Sequence, residues 1–504
     1  MDYAVLFAQF SQAHAPQGWS RQRLLHACLR AAIRNGILAA GTRLLATRQL
    51  AADLGMSRNT VMYAYEQLAT EGYVQPDRRG TRVANIALSR PAARARARPA
   101  QPPPRLSRRA QTTEPLPEAY LMGAFVPGVP SLIDFPLPAW RRLMDRAWCA
   151  TSTVQLNYGG PAGQPLLREA IAEHLRASRG VVCEPRQVFV TDGTQSSLDL
   201  CAHAFADAGD TVWLENPGYR GALTAFQEAE LQVHGIAVDA DGMMPSAADW
   251  RLHPPKLVYT TPSHQYPLGS VLSLPRRLAL IAQAQTSGAL LIEDDYDSEF
   301  RHDGPPLAAM QGLLPDAPVL YLGTFSKTMF PALRLGFIVV PQNLVVPLER
   351  LLTQSVPRGR AADQLALAEF LRSGQFATHL RRMRRLYRQR RDALHSALER
   401  HLGGMAQVYG GSAGMHLALG LDASISDVLI STQALQKGIV AHPLSAYAVG
   451  NHGPVWNGLM LGYAQMPAEQ MDAAVKKLAA IVRTQGWATA AAGWPRQTHA
   501  PARG

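Results

Sequence analysis

The stretch YLGTFSKTMFPALRLGF, residues 321–337, holds a single lysine, Lys327, among aromatic, aliphatic and small residues. An ammonium group is strongly hydrated and is rarely left in such company without a partner. Two apolar, β-rich runs overlap the stretch, PVLYLGTFSK (318–327) and RLGFIVVP (334–341). Four more precede them: QVFVTDG (187–193), TVWLENPGY (211–219), KLVYTTP (256–262) and ALLIEDDYD (289–297). Helix-length segments such as SLDLCAHAFADAG and RRLALIAQAQTSG separate most of these runs. Strands alternating with helices predict an α/β fold with a largely parallel sheet covered on both faces. Ligands of such sheets bind outside the carboxyl ends of the strands. The polar clusters TDGTQ, ENPGY, SHQYPLG, EDDYD and GTFSK fall at those ends.

At 504 residues the chain is too long for one core, so two or more domains are expected. No apolar run reaches the length of about 18 residues that a membrane span needs. The first residues, MDYAVLFAQFSQ, lack the basic region and long apolar core of a secretory signal. Cys28, Cys149, Cys183 and Cys201 lie far apart with no C-x-x-C spacing, and read as reduced packing residues of a cytoplasmic protein. The histidines show no ligand spacing, so no metal is expected; His264, beside one of the strand-end clusters, is the one to watch.

The net charge of +12 is unevenly spread. Residues 1–85 hold ten Arg and five acidic residues, and residues 86–118 hold seven Arg and two Glu. The remaining 386 residues are nearly balanced, with 33 basic and 31 acidic residues. The attraction for a polyanion therefore sits in the first quarter of the chain. Residues 86–118 are rich in Ala, Arg and Pro without apolar periodicity, and read as a semi-rigid linker. The domains expected are thus 1–85, a linker at 86–118, a large domain at 119–490 and a tail at 491–504.

Within the first domain, WSRQRLLHACLRAAIRNG reads as an amphipathic helix stopped by Gly36, and TRQLAADLG as a short second helix. SRNTVMYAYEQLATEG reads as a third, capped by Ser57 and stopped by Gly72. YVQPDRRGTRVA follows as a hairpin turning near Gly80. Three helices and a hairpin make a winged helix-turn-helix, whose third helix would present Arg58, Asn59 and Thr60 to base edges of double-stranded DNA. Arg48, Arg78 and Arg79 suit phosphate or groove contacts. The wording AGTRLLATRQLAADLGMSRNTVMYAYEQLATEGYV resembles the DNA-binding domain of GntR-family bacterial regulators. That resemblance implies a dimer reading two operator half-sites. It departs from the family at Leu45, where proline is usual, and in the wing, PDRRGT.

The strand ends of the large domain combine into one chemistry. A lysine acting as an amine nucleophile needs a desolvated, pre-aimed site. Thr324, Ser326 and Arg334 around Lys327 are suitable donors to a phosphate dianion. Gly193, Thr194 and Gln195 follow a strand and open a helix, so their backbone N–H groups could cradle the same phosphate. Asp294 could hold a pyridine nitrogen protonated, Tyr296 could donate to a phenolic oxygen, and Tyr219 could stack on the ring. A Schiff-base lysine, a pyridinium-partner carboxylate and a phosphate cup are what pyridoxal 5'-phosphate requires. A nucleotide-hydrolysing site is excluded, because GTFSKT lacks the glycine that precedes lysine in G-x-x-x-x-G-K-[ST]. HLRRMRRLYRQRRDAL carries seven arginines, yet Leu380, Met383, Tyr387 and Leu394 form an apolar stripe, so it reads as a core-packed helix rather than a nucleic-acid binder.

TDGTQSSLDL, ENPGY, TPSHQYPLG, IEDDYDSEFR, GTFSKTMFPALRLGF and HLRRMRRLYRQRRDAL occur in the order of the fold-type I aminotransferases. More narrowly they resemble the MocR branch of the GntR family, which fuses this domain to a winged helix. By that resemblance Lys327 forms the Schiff base, Asp294 meets the pyridine nitrogen, Tyr296 the ring oxygen and Tyr219 the ring face. Gly193, Thr194, Gln195, Ser326 and Arg334 would take the phosphate, and Tyr158 would reach the phosphate of the neighbouring subunit of a homodimer built on this domain. Aminotransferases fix the substrate carboxylate with an arginine near the C-terminus; GLMLGYAQM places Met460 there. Tyr266, in HQYPLG, stands where the family's asparagine is usual. Both departures point to a transcriptional regulator that senses pyridoxal phosphate, or an amine or amino acid joined to it. The alternative is a working amino-acid aminotransferase that carries a DNA-binding domain.

Overall fold

The computed structural model describes residues 1–14, 18–77, 80–85, 107, 123–304, 306–355, 359–450 and 456–491. Arg78, Arg79 and nearly all of the segments 86–118 and 491–504 lie outside the described residues. The chain divides into two compact units, Met1–Arg105 and Leu106–Gly504.

In the first unit, α1 (Tyr3–His14), α2 (Arg21–Arg34), α3 (Thr47–Asp53) and α4 (Arg58–Thr70) precede a hairpin of β1 (Val74–Asp77) and β2 (Gly80–Val83). The caps explain the boundaries. Ser20 Oγ accepts the Arg23 N–H at 3.3 Å, and Ser57 Oγ accepts the Thr60 N–H at 3.2 Å, each satisfying a donor that has no partner within the helix. Helix α1 is an element that sequence patterning did not predict. Asp2 starts it by accepting the Ala4 N–H at 2.9 Å, and Tyr3, Leu6 and Phe7 pack onto the domain core. That core is Leu25, Leu29, Ile33, Leu50, Val61, Leu68, Val74 and Val83 with their neighbours. Each fully buried aliphatic side chain of this kind contributes about 1.5–3 kcal/mol. Leu45 lends its carbonyl to the Tyr65 hydroxyl at 2.9 Å, tying the approach to α3 onto α4.

The second unit is built on an eight-stranded sheet. Its strands are β3 (Val188–Thr191), β4 (Thr211–Asn216), β5 (Gln232–Asp239), β6 (Gly242–Met243), β7 (Leu257–Thr260), β8 (Leu290–Asp295), β9 (Val319–Thr324) and β10 (Gly336–Val339), in the order β3-β10-β9-β8-β7-β4-β5-β6. Only β10 and β6 pair antiparallel with their neighbours. Since β3 and β9 both run against β10, they run with each other, and the carboxyl ends of β3, β4, β7, β8 and β9 share one edge. The sheet is buried on both faces: Phe189, Tyr259, Ile292 and Leu320 lie in one cluster, while Val190, Tyr321 and Phe337 lie in another. A second sheet, antiparallel, has the order β11 (Ala406–Tyr409), β12 (His416–Leu421), β14 (Gly458–Gly462), β13 (His442–Pro443). The arginine-rich segment is a helix, Gln375–Leu402, in which Leu380, Met383, Tyr387 and Leu394 are all buried. Among the described residues no helix is long and apolar enough to cross a membrane.

Candidate functional site

Lys327 lies just beyond β9, half-buried, with Nζ donating to the Gly128 carbonyl at 2.6 Å. Gly128 adopts φ +72°, which favours glycine, and a β-carbon there would stand 3.1 Å from Nζ, so a side chain would crowd the amine. Burial lowers the pKa of Lys327; Asp297 and Asp294 oppose the fall and Arg334 adds to it. A lysine so placed exposes its neutral, nucleophilic form nearer to neutral pH than a surface lysine does.

The end of β8 carries three consecutive acids, and strand alternation separates them. Glu293 accepts the N–H groups of Met310 at 2.9 Å and Gln311 at 3.1 Å. Asp295 accepts Nε of the buried Arg179 at 2.7 Å and is also bonded by the Tyr321 hydroxyl. Asp294 lies between them and points to the other face, where the Tyr259 hydroxyl donates to its Oδ2 at 2.8 Å. Its Oδ1 is buried without a partner. Asp295 has a guanidinium; Asp294 has none, and burial pushes its carboxyl up to about 7. An acceptor buried without a donor beside a desolvated lysine fits a protonated ring nitrogen.

Register assembles the phosphate side. Gly336, the first residue of β10, is the partner of both Thr191 on β3 and Thr324 on β9, which brings three loops to one point. Because β10 runs against β9, Arg334 sits at the same edge as Lys327. Gly193 (φ +92°) caps the helix Thr194–Phe205, and a β-carbon on it would contact the Arg334 guanidinium at 3.5 Å. Thr324 and Ser326 are buried, with Thr324 Oγ1 accepting the Ser326 N–H at 3.2 Å. The Gln195 side-chain amide donates to the Gly221 carbonyl at 3.0 Å. Arg360, which sequence reading missed, fixes the left-handed turn at Arg334 (φ +48°). It donates to the carbonyls of Leu333 at 2.9 Å and Arg334 at 2.7 Å, and pairs with Asp192. A left-handed arginine is not announced by its sequence.

Aromatic rings enclose the rest of the chamber. Tyr266 meets Tyr219 at 5.5 Å, Tyr296 at 5.8 Å, His416 at 5.4 Å and Tyr447 at 5.5 Å, all edge-on. Burial raises the pKa of the Tyr219 hydroxyl; Asp294 adds to the rise and Arg334 opposes it. The Tyr296 hydroxyl donates to the His264 carbonyl at 3.0 Å and lies 2.9 Å from His264 Nδ1. That nitrogen faces both oxygens of Asp297 at 3.1 Å. His264, Asp297 and His416 form a buried group whose ligand-type atoms lie within 4.8 Å of one another, a proximity their sequence spacing does not reveal. His264 Nδ1 is bonded with Asp297 and His416 Nε2 with the Pro267 carbonyl at 3.1 Å, while His264 Nε2 is buried without a partner. Tyr158 stands apart, 85% exposed.

In the winged helix, Arg48, Ser57, Arg58, Asn59 and Gly80 are exposed, and Thr60 is half-buried. Ser57 and Thr60 are engaged with each other, Oγ to Oγ1 at 2.9 Å. Arg43, which sequence reading passed over, lies against the wing, its Nε 3.2 Å from where a β-carbon on Gly80 would be.

A lysine chamber at the strand ends of an aminotransferase fold, with a winged helix in the same chain, defines the class: a DNA-binding regulator carrying an aminotransferase-like domain. Residues 23–83 match the gntR family of bacterial regulatory proteins, and residues 131–478 match aminotransferase class I and II. The chain belongs to the MocR-type regulators of the GntR family. It is 39% identical over 460 residues to "Probable rhizopine catabolism regulatory protein MocR" of Rhizobium meliloti, covering 90% of this chain and 92% of that one. It is 34% identical over 442 residues to the pyridoxine biosynthesis transcriptional regulator PdxR of Corynebacterium glutamicum, covering 86% and 90%. Among solved structures, the α-aminoadipate aminotransferase LysN of Thermus thermophilus, complexed with N-(5'-phosphopyridoxyl)-L-leucine, superposes with a TM-score of 0.66 at 27% identity, covering 73% of this chain and 93% of that one. The kynurenine aminotransferase of Pyrococcus horikoshii does so at 0.69 and 26%, covering 75% and 97%.

Proposed function

We propose that this protein is a cytoplasmic transcriptional regulator whose DNA binding depends on pyridoxal 5'-phosphate held in the large domain. The observation that carries the reading is Asp294 Oδ1, buried without a donor in the chamber that also holds Lys327. Lys327 would hold the aldehyde carbon, Asp294 the ring nitrogen, and Tyr219 and Tyr266 the ring. The cup of Gly193, Thr194, Ser326, Thr324 and Arg334 would hold the phosphate, with Gln195 bracing its helix and Tyr158 offered to a partner subunit. Bound there, the cofactor supplies an electrophilic carbon and an electron-withdrawing ring. The residues of this chain desolvate the lysine, keep the ring nitrogen protonated and clamp the phosphate. The winged helix would dock through Arg48, Ser57, Arg58, Asn59 and Thr60, with Arg78, Arg79 and Gly80 at the wing, as one half of a homodimer on paired half-sites.

The competing reading, an aminotransferase, is disfavoured by Met460. This residue, fully buried among Tyr447, Leu444 and Ala418, stands where the resemblance to aminotransferases puts the arginine that fixes the substrate carboxylate. Coupling requires that the occupied chamber favour one domain arrangement over another. A gel-shift titration on the protein's own promoter, with and without pyridoxal phosphate and beside Lys327→Ala, tests the reading. The wild type should change its DNA affinity on cofactor addition and Lys327→Ala should not. Multi-turnover transamination without any DNA shift would sink it.

A further inference from the structure

Strand β14 alternates: Leu459 and Leu461 turn into the core under the long helices, while Met460 turns the opposite way. Met460 is the register partner of Ala418 on β12 and His442 on β13, and clusters with Tyr266, Tyr447 and Trp456. This wall is continuous with the lysine chamber. Tyr266 touches His416, and Lys327 acts electrostatically on His416. The two imidazoles along the wall carry no charge at neutral pH. Burial pulls His416 down to about 3 and His442 down to about 4. A carboxylate entering here would shed its hydration and meet a thioether, phenol rings and neutral imidazoles. An anion buried without a cation or a full set of donors is strongly disfavoured.

Resting on the cofactor reading above, we propose that the chamber selects an effector that is a primary amine without a carboxylate on its α-carbon, and that Met460 is the residue that sets this preference. Replacing Nζ of Lys327 by the incoming nitrogen forms one carbon–nitrogen linkage as another breaks. Both hydrogens of the incoming amine end on Nζ and no oxidation state changes, so no co-reactant is needed. The tyrosine edges and the methionine thioether suit an apolar or aromatic body on that amine. The rival supplier of positive charge is Arg220, an exposed residue that acts on His442.

Matched probes isolate the carboxylate: phenethylamine against L-phenylalanine, and ethylamine against L-alanine, added to the full chain loaded with pyridoxal phosphate. Visible absorbance of the lysine-linked cofactor and gel shift on the promoter are read in parallel. The amine of at least one pair should act at a concentration about 100-fold or more below its amino acid. Met460→Arg should narrow or reverse that ratio, with Met460→Leu as the packing control. Amino acids acting as well as amines on the wild type, no response to any amine, or loss of an amino-acid response in Arg220→Ala would each overturn the proposal. Absence of the cofactor's visible band in the loaded wild type would instead bring down the cofactor reading on which it rests.

Discussion

The Tyr259 hydroxyl donates to Oδ2 of Asp294 at 2.8 Å and leaves Oδ1 buried with nothing to accept. Tyr259 orients the carboxylate so that its free oxygen is the one presented to a ring nitrogen. Asp294→Asn should weaken pyridoxal phosphate binding by about 10- to 100-fold, the range for a lost hydrogen bond to a charged group, and Tyr259→Phe by less. Equilibrium titration of the cofactor's absorbance measures both. Equal affinity in Asp294→Asn and wild type would remove Asp294 from the site.

The same carboxyl links stability to pH. Burial raises Asp294 from an ordinary 3.8 to about 7, so between those values the folded state keeps a proton that the unfolded chain releases. Stability from this group is therefore full below about 4 and is lost as pH rises through about 7. Cofactor-stripped protein should melt at progressively lower temperature from about pH 5 to about pH 8, and Asp294→Asn should show a shallower decline. Glu293, also raised to about 7, titrates in both proteins and leaves a residual slope. Parallel melting curves for the two would contradict the assignment.

Arg360 acts through Arg334. It bonds the carbonyls on either side of the left-handed turn and pairs with Asp192 beyond β3. Arg360→Ala should loosen the phosphate seat without touching the ring. Affinity for pyridoxal phosphate should fall by about 10-fold, while affinity for pyridoxal, which has no phosphate, stays unchanged. An equal loss for both ligands would mean that Arg360 only stabilises the fold.

In the winged helix, two adjacent residues of the proposed docking set should differ in what they do for stability. Ser57→Ala removes the cap of α4 and should cost about 1 kcal/mol of domain stability. Arg58→Ala, exposed at the first turn of α4, should leave the melting temperature alone. It should weaken binding to the promoter and, if it meets a phosphate, lower the salt slope by about one. Reversal of the two effects would show that the recognition helix docks elsewhere.

The winged helix was legible because its signals are local. Ser57, Gly36 and Gly72 mark helix ends by caps and left-handed turns, and α2, α3 and α4 fall between them as patterning predicts. Helix α1 was not legible, since its start depends on Asp2 and its reason to persist is the packing of Tyr3 and Phe7 against residues more distant in the chain. In the large unit, apolar runs with polar ends were enough to place Lys327, Asp294 and Arg334 at strand termini.

Which acid of the β8 triplet takes the guanidinium was decided only in three dimensions, because Arg179 reaches Asp295 across 116 residues of chain. The same holds for the pairing of Arg360 with Asp192, the approach of His264 to Asp297 and His416, and the aromatic wall around Met460. Periodicity, caps and turn residues act over a few positions, so the sequence by itself determined the elements and the residue types at their ends. Partner choice among buried charges depends on desolvation and on contacts between distant segments, and only the packed tertiary structure creates both.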